Sequence, residues 1–293
     1  MRRLQRTLPR SAYRALAGGY RGARTLVGRS PGHGRALPDF VIIGAAKAGT
    51  TSLYGWLCEH PGVLPASQKE VHYFDYNHDR GEDWYRSHFP REQALAAGAA
   101  ADGRRLVTGE ASPPYLSHAW APARLADLLP QAKLLVTLRD PVDRAYSQLQ
   151  MSRREGEEPC ESFADAVAAE EGRLAPERAR CLADPHYNSW AIGCWSYLMR
   201  GRYAEQLARW FELFPREQFH VVTLEDIAAD PQRVLDGVHE FLGLGAHRYP
   251  NLPRLHTAEY SGMTGQERAS LADYFRPHNE RLYALLGANL GWS

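Results

Sequence analysis

The chain has 293 residues, of which 44% are hydrophobic and 24% are charged, and its formal net charge is +1. These values exclude a disordered polyelectrolyte and predict a globular core. The charge is unevenly spread, because residues 1–35 hold nine Arg and no acidic residue, whereas the remainder carries 26 basic and 34 acidic residues. The sequence contains no run of about 18 apolar residues, so we expect no membrane-spanning helix. The basic N-terminus lacks the apolar segment of a secretory signal, so we do not expect one there.

The Arg-rich start predicts a flexible N-terminal tail over residues 1–37, followed by one domain over residues 38–293. Two interpretations of residues 1–35 remain open: a basic amphipathic segment that contacts anionic membrane at its surface, or a tail without fixed structure. We expect a cytoplasmic protein, peripheral to the membrane under the first interpretation, that binds no nucleic acid. The excess of Arg, 32 of the 35 basic residues, indicates a GC-rich bacterial genome.

Cysteine spacing gives no sign of a metal site. The four thiols lack a C-x-x-C pair, so we expect no zinc site, and their even number leaves both disulfides and reduced thiols open. They are Cys58, Cys160, Cys181 and Cys194.

The predicted elements alternate between strands and helices along the chain. Strands are predicted over residues 38–43, within 63–75, and over 106–109, 133–138 and 219–224. Helices are predicted over residues 51–60, 81–90, 119–129, 142–154, 193–213, 231–242 and 266–286, with an irregular helical stretch over 155–190 and a break of the last helix at Pro277. This alternation predicts an α/β fold whose central parallel sheet is flanked by helices, with ligands beyond the carboxyl ends of the strands.

The turn after the first strand predicts a phosphate site. Phe40 to Ile43 form a short apolar run typical of a buried strand, and Gly44 and Gly49 let the following backbone curl with its N–H groups inward. Lys47 adds positive charge, and hydroxyl side chains follow at the predicted helix start, where N–H groups and the helix dipole favour an anion. The candidate phosphate-binding residues are Lys47, Ala48, Gly49, Thr50, Thr51 and Ser52. The order differs from the G-x-x-x-x-G-K-[ST] loop of nucleotide triphosphatases.

A second anion site is predicted after the strand at 133–138. Arg139 leaves the strand end and Ser147 lies eight residues further on, inside a helix that begins near Pro141. The guanidinium offers a planar fork to phosphate oxygens, and the hydroxyl adds a hydrogen bond. An ion pair between Arg139 and Asp143 is the open alternative.

These motifs together resemble those of sulfotransferases that use PAPS (3′-phosphoadenosine 5′-phosphosulfate). The order K-x-G-T-T-S is similar to their 5′-phosphosulfate loop, and the Arg139–Ser147 pair is similar to their 3′-phosphate motif. Aromatic blocks at residues 83–85, 203–204 and 273–275 resemble the heparan-sulfate-type domain, so the resemblance extends from about residue 38 to residue 286. The bacterial branch related to heparan sulfate enzymes is therefore the expected family.

The resemblance implies a P-loop-like three-layer fold and an enzyme that transfers a sulfuryl group from PAPS, without a metal, to a hydroxyl or amine. The acceptor would be a carbohydrate, a lipid or a small molecule. A P-loop kinase or NTPase, and a non-catalytic nucleotide-binding protein at the membrane periphery, are the alternatives.

The resemblance also implies roles for individual residues. Glu70 matches the glutamate that accepts the acceptor's proton, with His72, placed by strand alternation on the same face, as the reserve base. Lys47 would stabilise charge on the oxygen that leaves sulfur. Glu110 would orient substrate or Lys47. The sequence departs from the family pattern at two places. Ala111 stands where the family often has Lys, and the loop over 256–259 is less basic than the family's. Arg254 is therefore the candidate that supplies positive charge to the third wall of the nucleotide site.

Overall fold

The computed structural model describes residues 32–98, 103–252 and 262–292. The predictions for residues 1–31 and for Arg254 therefore lie outside the described residues.

A four-stranded parallel sheet forms the centre of the fold. Its strands are β1 (Phe40–Gly44), β2 (Gly109–Ala111), β3 (Lys133–Leu138) and β4 (Phe219–Thr223), in the spatial order β2-β1-β3-β4. β1 is buried along its whole length, as expected for an apolar strand covered on both faces. This arrangement confirms the predicted α/β fold with a central parallel sheet.

Eleven α-helices surround the sheet within the described ranges. They are α1 (Thr50–Leu57), α2 (Glu82–Arg86), α3 (Glu92–Ala97), α4 (Ala121–Leu128), α5 (Pro141–Glu155), α6 (Phe163–Ala183), α7 (Trp190–Trp195), α8 (Tyr203–Phe211), α9 (Leu224–Ala229), α10 (Pro231–Leu242) and α11 (Gly265–Leu286). None of the helices described here has the length and hydropathy needed to cross a membrane.

Two hydrophobic cores lie on opposite faces of the sheet and produce three layers. Alternation along β1 sends Val41 and Ile43 into one core, which includes Trp210 of α8. Phe40 and Ile42 enter the other core, which includes residues of α1 and α10. The three-layer prediction is therefore confirmed.

The predicted long helix over residues 193–213 is wrong, because the chain forms α7 and α8 with an irregular turn between them. The buried guanidinium of Arg144 donates to the carbonyls of Ser196 and Tyr197, at 3.0 and 2.6 Å. These two carbonyls therefore accept hydrogen bonds from a side chain of α5, and not from the N–H groups of a continuing helix. A side chain 52 residues away in sequence thus interrupts the helix.

Two smaller predictions also need correction. The segment over residues 69–75 is a loop rather than a strand. α11 continues through Pro277, since Phe275 and Leu282, on either side of the proline, are both buried and hold the helix against the core. All four cysteines are free thiols.

Candidate active site

The phosphate loop, residues 44–52, connects β1 to α1 at the carboxyl edge of the sheet. Gly49 precedes α1 with φ 87°, a left-handed conformation that favours glycine. The first turn of α1 has no acidic residue, and no side chain caps it. The Ser52 N–H donates to the Gly49 carbonyl at 3.0 Å, so the N–H groups of Thr50 and Thr51 are the ones that the helix start offers to an anion. Ala48, Thr50 and Ser52 are buried, and Thr51 is half-buried.

Lys47 is held inside this loop in a left-handed conformation, with φ 74°. Its Nζ lies 3.5 Å from Sδ of Met151, a weak acceptor on α5. Burial, and then the positive charge of Arg154, lower the pKa of Lys47 to about 8. A partly buried ammonium group whose described hydrogen-bond acceptor is only a thioether sulfur gains free energy when an anion binds beside it.

Arg139 and Ser147 bring the second predicted anion site to the same edge. Arg139 follows β3, and its Nη1 donates to the carbonyl of Lys47 at 3.4 Å, so the two motifs are in direct contact. Ser147 is buried on α5, one helical turn before Met151, the residue that contacts Lys47. Asp143, the alternative partner of Arg139, instead forms an ion pair with Arg268.

The predicted base lies in a loop of residues 69–76 next to β2. The Glu70 N–H donates to the carbonyl of Ala111 at the end of β2, at 3.0 Å, and Ala111 pairs with Ile42 of β1, just before the phosphate loop. Glu70 and His72 both adopt left-handed conformations, with φ 63° and 55°. The prediction of a shared strand face is wrong, yet the two side chains do meet, with 3.5 Å between Nε2 of His72 and Oε2 of Glu70.

Asp75 completes an ionic group that sequence analysis missed. Its Oδ2 lies 2.8 Å from Nδ1 of His72, and its side chain is fully buried. Burial lowers the pKa of His72, but the hydrogen bonds to Asp75 and Glu70 outweigh burial and raise it to about 9. Burial raises the pKa of Glu70, whereas the bonds from His72 and Lys69 lower it to about 2. At neutral pH, an imidazolium therefore lies between two carboxylates.

Glu110 supports the loop of residues 69–76 through two hydroxyl groups. It is fully buried and accepts hydrogen bonds from Ser112 at 2.7 Å and Tyr115 at 3.1 Å. The same two hydroxyls accept the N–H groups of His72 and Tyr73, at 3.1 and 2.7 Å. Of the two roles predicted for Glu110, a contact with Lys47 is not seen among its described hydrogen bonds, and the orientation of substrate stays a prediction. The glutamate fixes the hydroxyls that hold the 69–76 loop.

The role of Asp75 can be tested through the ionisation of His72. Asp75→Asn removes the charge that stabilises the imidazolium, so the pKa of His72 should fall from about 9 toward its ordinary value, by about one pH unit or more. An NMR titration of the His72 ring measures this directly. Asp79→Asn is the control, because Asp79 faces His186 instead. An unchanged His72 midpoint in Asp75→Asn would contradict the assignment.

The structure brings together the phosphate loop, the Arg139–Ser147 pair and the Glu70–His72–Asp75 group at one sheet edge. Arg254 lies outside the described residues. The described side chains contain no group of three His, Cys, Asp or Glu residues arranged to hold a metal ion.

Comparison with known proteins identifies the family. The sulfotransferase domain family matches residues 37–273 of the chain. A solved sulfotransferase from Alicyclobacillus acidocaldarius is 34% identical, with a TM-score of 0.65, over 87% of this chain and 98% of that one. The chain therefore belongs to the sulfotransferase domain family, as its motifs predicted, and nothing in these matches supports a kinase or NTPase.

Curated relatives include proteins that are longer than the matched region. The mouse heparan sulfate glucosamine 3-O-sulfotransferase 6 is 31% identical over 91% of this chain and 76% of its own length. The membrane-associated sulfotransferase kil1 of Dictyostelium discoideum is 27% identical over 87% of this chain and 66% of its own. A human bifunctional heparan sulfate N-deacetylase/N-sulfotransferase is 32% identical over 85% of this chain, which spans only 30% of that relative.

Proposed function

We propose that this chain transfers a sulfuryl group from PAPS to an acceptor hydroxyl or amine. The observation that supports this most strongly is the direct contact between Arg139 and Lys47, because it joins two anion sites at one sheet edge beside the Glu70 carboxylate. A donor with a 5′-phosphosulfate and a separate 3′-phosphate needs two such sites. The names of the heparan sulfate relatives favour a carbohydrate among the acceptor classes expected from the sequence.

The residues of the phosphate loop fit the 5′ end of the donor. The first-turn N–H groups of α1 and the hydroxyls of Thr50, Thr51 and Ser52 would bind the phosphosulfate oxygens. Lys47 would bind the same group and stabilise the negative charge that develops on the phosphate side, an electrostatic contribution typical of group transfer. Arg139 and Ser147 would hold the 3′-phosphate, with Tyr203 fixing the Arg139 carbonyl through a hydrogen bond of 2.9 Å.

Glu70 would accept the proton of the acceptor as the new bond forms. PAPS supplies the sulfuryl group, and the desulfated nucleotide PAP (3′-phosphoadenosine 5′-phosphate) leaves with the electrons of the broken S–O bond. The low pKa keeps Glu70 ionised, and 44% of its side chain is exposed, so an acceptor can reach it. His72 is protonated at neutral pH, which favours Glu70 over His72 as the proton acceptor.

The 3′-phosphate assignment predicts a nucleotide preference that depends on Arg139. Wild-type protein should bind PAP far more tightly than ADP, and Arg139→Ala should lose about 1.5–3 kcal/mol of PAP binding, the value of a charge-assisted hydrogen bond. ADP binding should change much less. Isothermal titration calorimetry with both nucleotides measures the effect, with Arg105→Ala as the control at the opposite sheet edge, where Arg105 pairs with Asp39. Equal affinities of the wild type for PAP and ADP would refute the assignment.

A further inference from the structure

A cavity of about 440 Å³ opens beside the 69–76 loop, between that loop and helices α6, α7 and α8. We call it the acceptor pocket; its lining includes Tyr76, Leu182, Ile192, Arg200, Arg202 and Arg209. We propose that this pocket binds a small acceptor that carries an anionic group at one end of an apolar segment and the reacting hydroxyl at the other. The inference rests on the proposed sulfotransferase function and, from the lining of the pocket, favours the small-molecule class of acceptor over the carbohydrate class suggested by the names of the relatives.

The charge of the lining favours an anion. Four arginines and a single glutamate, Glu205, line the pocket. Arg178 is neutralised by two hydrogen bonds to Glu171, and Glu205 lies 3.8 Å from Arg202. Among the described residues, however, no carboxylate lies within 4.0 Å of the Arg200 or Arg209 guanidinium. Neither guanidinium therefore forms a direct ion pair with a described carboxylate, although the charges of Glu205 and Glu212 act on Arg209 from further away. Planar guanidinium groups match carboxylate, sulfate and phosphate oxygens.

Buried, unpaired donors strengthen this inference. Arg200 is 7% exposed. Within the described part of the chain, the Nε atoms of Arg200 and Arg202 are buried without a hydrogen-bond acceptor. Gln206 donates to the carbonyls of Arg200 and Arg202, at 3.1 and 3.2 Å, and so fixes the backbone that carries both arginines. Buried N–H groups are costly to leave unpaired. Because these two Nε atoms are closed to solvent, an anion in the pocket would bind the outer nitrogens of the guanidinium groups and would reach the Nε atoms only after the side chains shift.

The rest of the lining is apolar, which favours a molecule with a hydrocarbon or aromatic part. Leu182 is 64% exposed and Tyr76 is 42% exposed, and both line the pocket with Ile192. Large exposed apolar side chains around a pocket mark a surface that a ligand covers. The volume of about 440 Å³ lies within the range of small-molecule sites.

Tyr76 connects the pocket to the proposed base. Its ring centroid lies 5.0 Å from that of His72, which in turn lies 3.5 Å from Glu70. An acceptor whose apolar segment lies along Tyr76 and Ile192 would place its anionic end at the arginines. Its other end would then reach Glu70, where the hydroxyl proton is removed.

Calorimetry with matched probes tests this inference on the full chain loaded with PAP. The probes are 8-hydroxyoctanoate and 1,8-octanediol, which differ only in the carboxylate. The carboxylate probe should bind about tenfold more tightly or better, and Arg209→Gln should remove most of that difference, as expected for one charge-assisted contact. Arg209→Lys should retain a substantial part of it. Arg248→Gln is the matched control, because Arg248 is 79% exposed and pairs with Asp236.

The outcomes separate this inference from the proposed function. PAP affinity is measured first for every variant, and failure of the wild type to bind PAP would overturn the proposed function. If PAP binds but the two probes bind equally, or if Arg209→Gln keeps the full preference, the inference is overturned alone. Tighter binding of a heparan sulfate hexasaccharide than of 8-hydroxyoctanoate, unaffected by Arg209→Gln, would likewise overturn it.

Discussion

We expect Glu70→Gln to lower kcat by about 10²–10⁴-fold, the usual cost of losing a general base, while PAP affinity changes little. The substitution preserves the size of the side chain but removes the carboxylate charge and replaces one accepting oxygen with an amide nitrogen, so the side chain can no longer accept the proton. Glu70 lies in the 69–76 loop, outside both anion sites, which is why nucleotide binding should persist. Steady-state kinetics with labelled PAPS and calorimetry with PAP measure the two quantities separately.

Glu217→Gln provides the matched control for this prediction. Glu217 is exposed and precedes β4, at the edge of the sheet opposite to the proposed site. Its substitution should leave kcat unchanged. Because the pKa of Glu70 is about 2, kcat/KM should also show no acid limb from this residue above about pH 3. Full activity of Glu70→Gln would contradict the assignment of the base.

The two phosphate motifs were predictable because each is local in sequence. An apolar strand, a turn and a helix start follow one another within residues 40–57, so periodicity and turn chemistry suffice to place Lys47 and Gly49. The same holds for β3, Arg139 and α5, where Pro141 marks the first turn of the helix. Parallel strands then bring the two motifs to one edge, as the strand–helix alternation predicted.

The Glu70 loop was not predictable in the same way. Alternating polar and apolar residues suggested a strand, but the loop is held by the hydroxyls of Ser112 and Tyr115, about 40 residues away in sequence. Those hydroxyls are fixed by the buried Glu110. Left-handed conformations at non-glycine residues such as Glu70 arise from tertiary contacts of this kind, and local propensity does not encode them.

The acceptor pocket shows a related limit of sequence analysis. Three of its four arginines, Arg200, Arg202 and Arg209, come from the turn before α8 and from α8 itself, which were predicted to belong to one continuous helix. The break between α7 and α8 depends on Arg144 of α5 and brings Arg200 to the pocket wall. Arginine is abundant throughout this chain, so composition alone cannot distinguish these unpaired cations from those on the surface.

Lys47→Met should lower kcat by about 10²–10³-fold, the cost of removing one electrostatic contact to developing charge, and should also weaken PAP binding. Lys47 should affect both kcat and PAP binding because it lies in the phosphate loop and contacts Met151, one turn beyond Ser147. The matched control is Lys133→Met. Lys133 begins β3 at the opposite sheet edge, where its ammonium donates to the carbonyl of Phe241, so kcat and PAP affinity should be retained.

The lowered pKa of Lys47 gives PAP binding a pH dependence that Lys47→Met should lack and that the control variant Lys133→Met should keep. Burial and Arg154 lower this pKa to about 8, so the free protein loses the charge as the pH rises through about 8. An anion binds the charged form better and raises the pKa, so PAP binding should take up a proton near that pH and weaken as the pH rises further. Calorimetry in two buffers with different ionisation enthalpies measures the proton uptake. Lys47→Met should abolish it, whereas equal uptake in wild type and Lys47→Met would assign the proton to another group and contradict this role for Lys47.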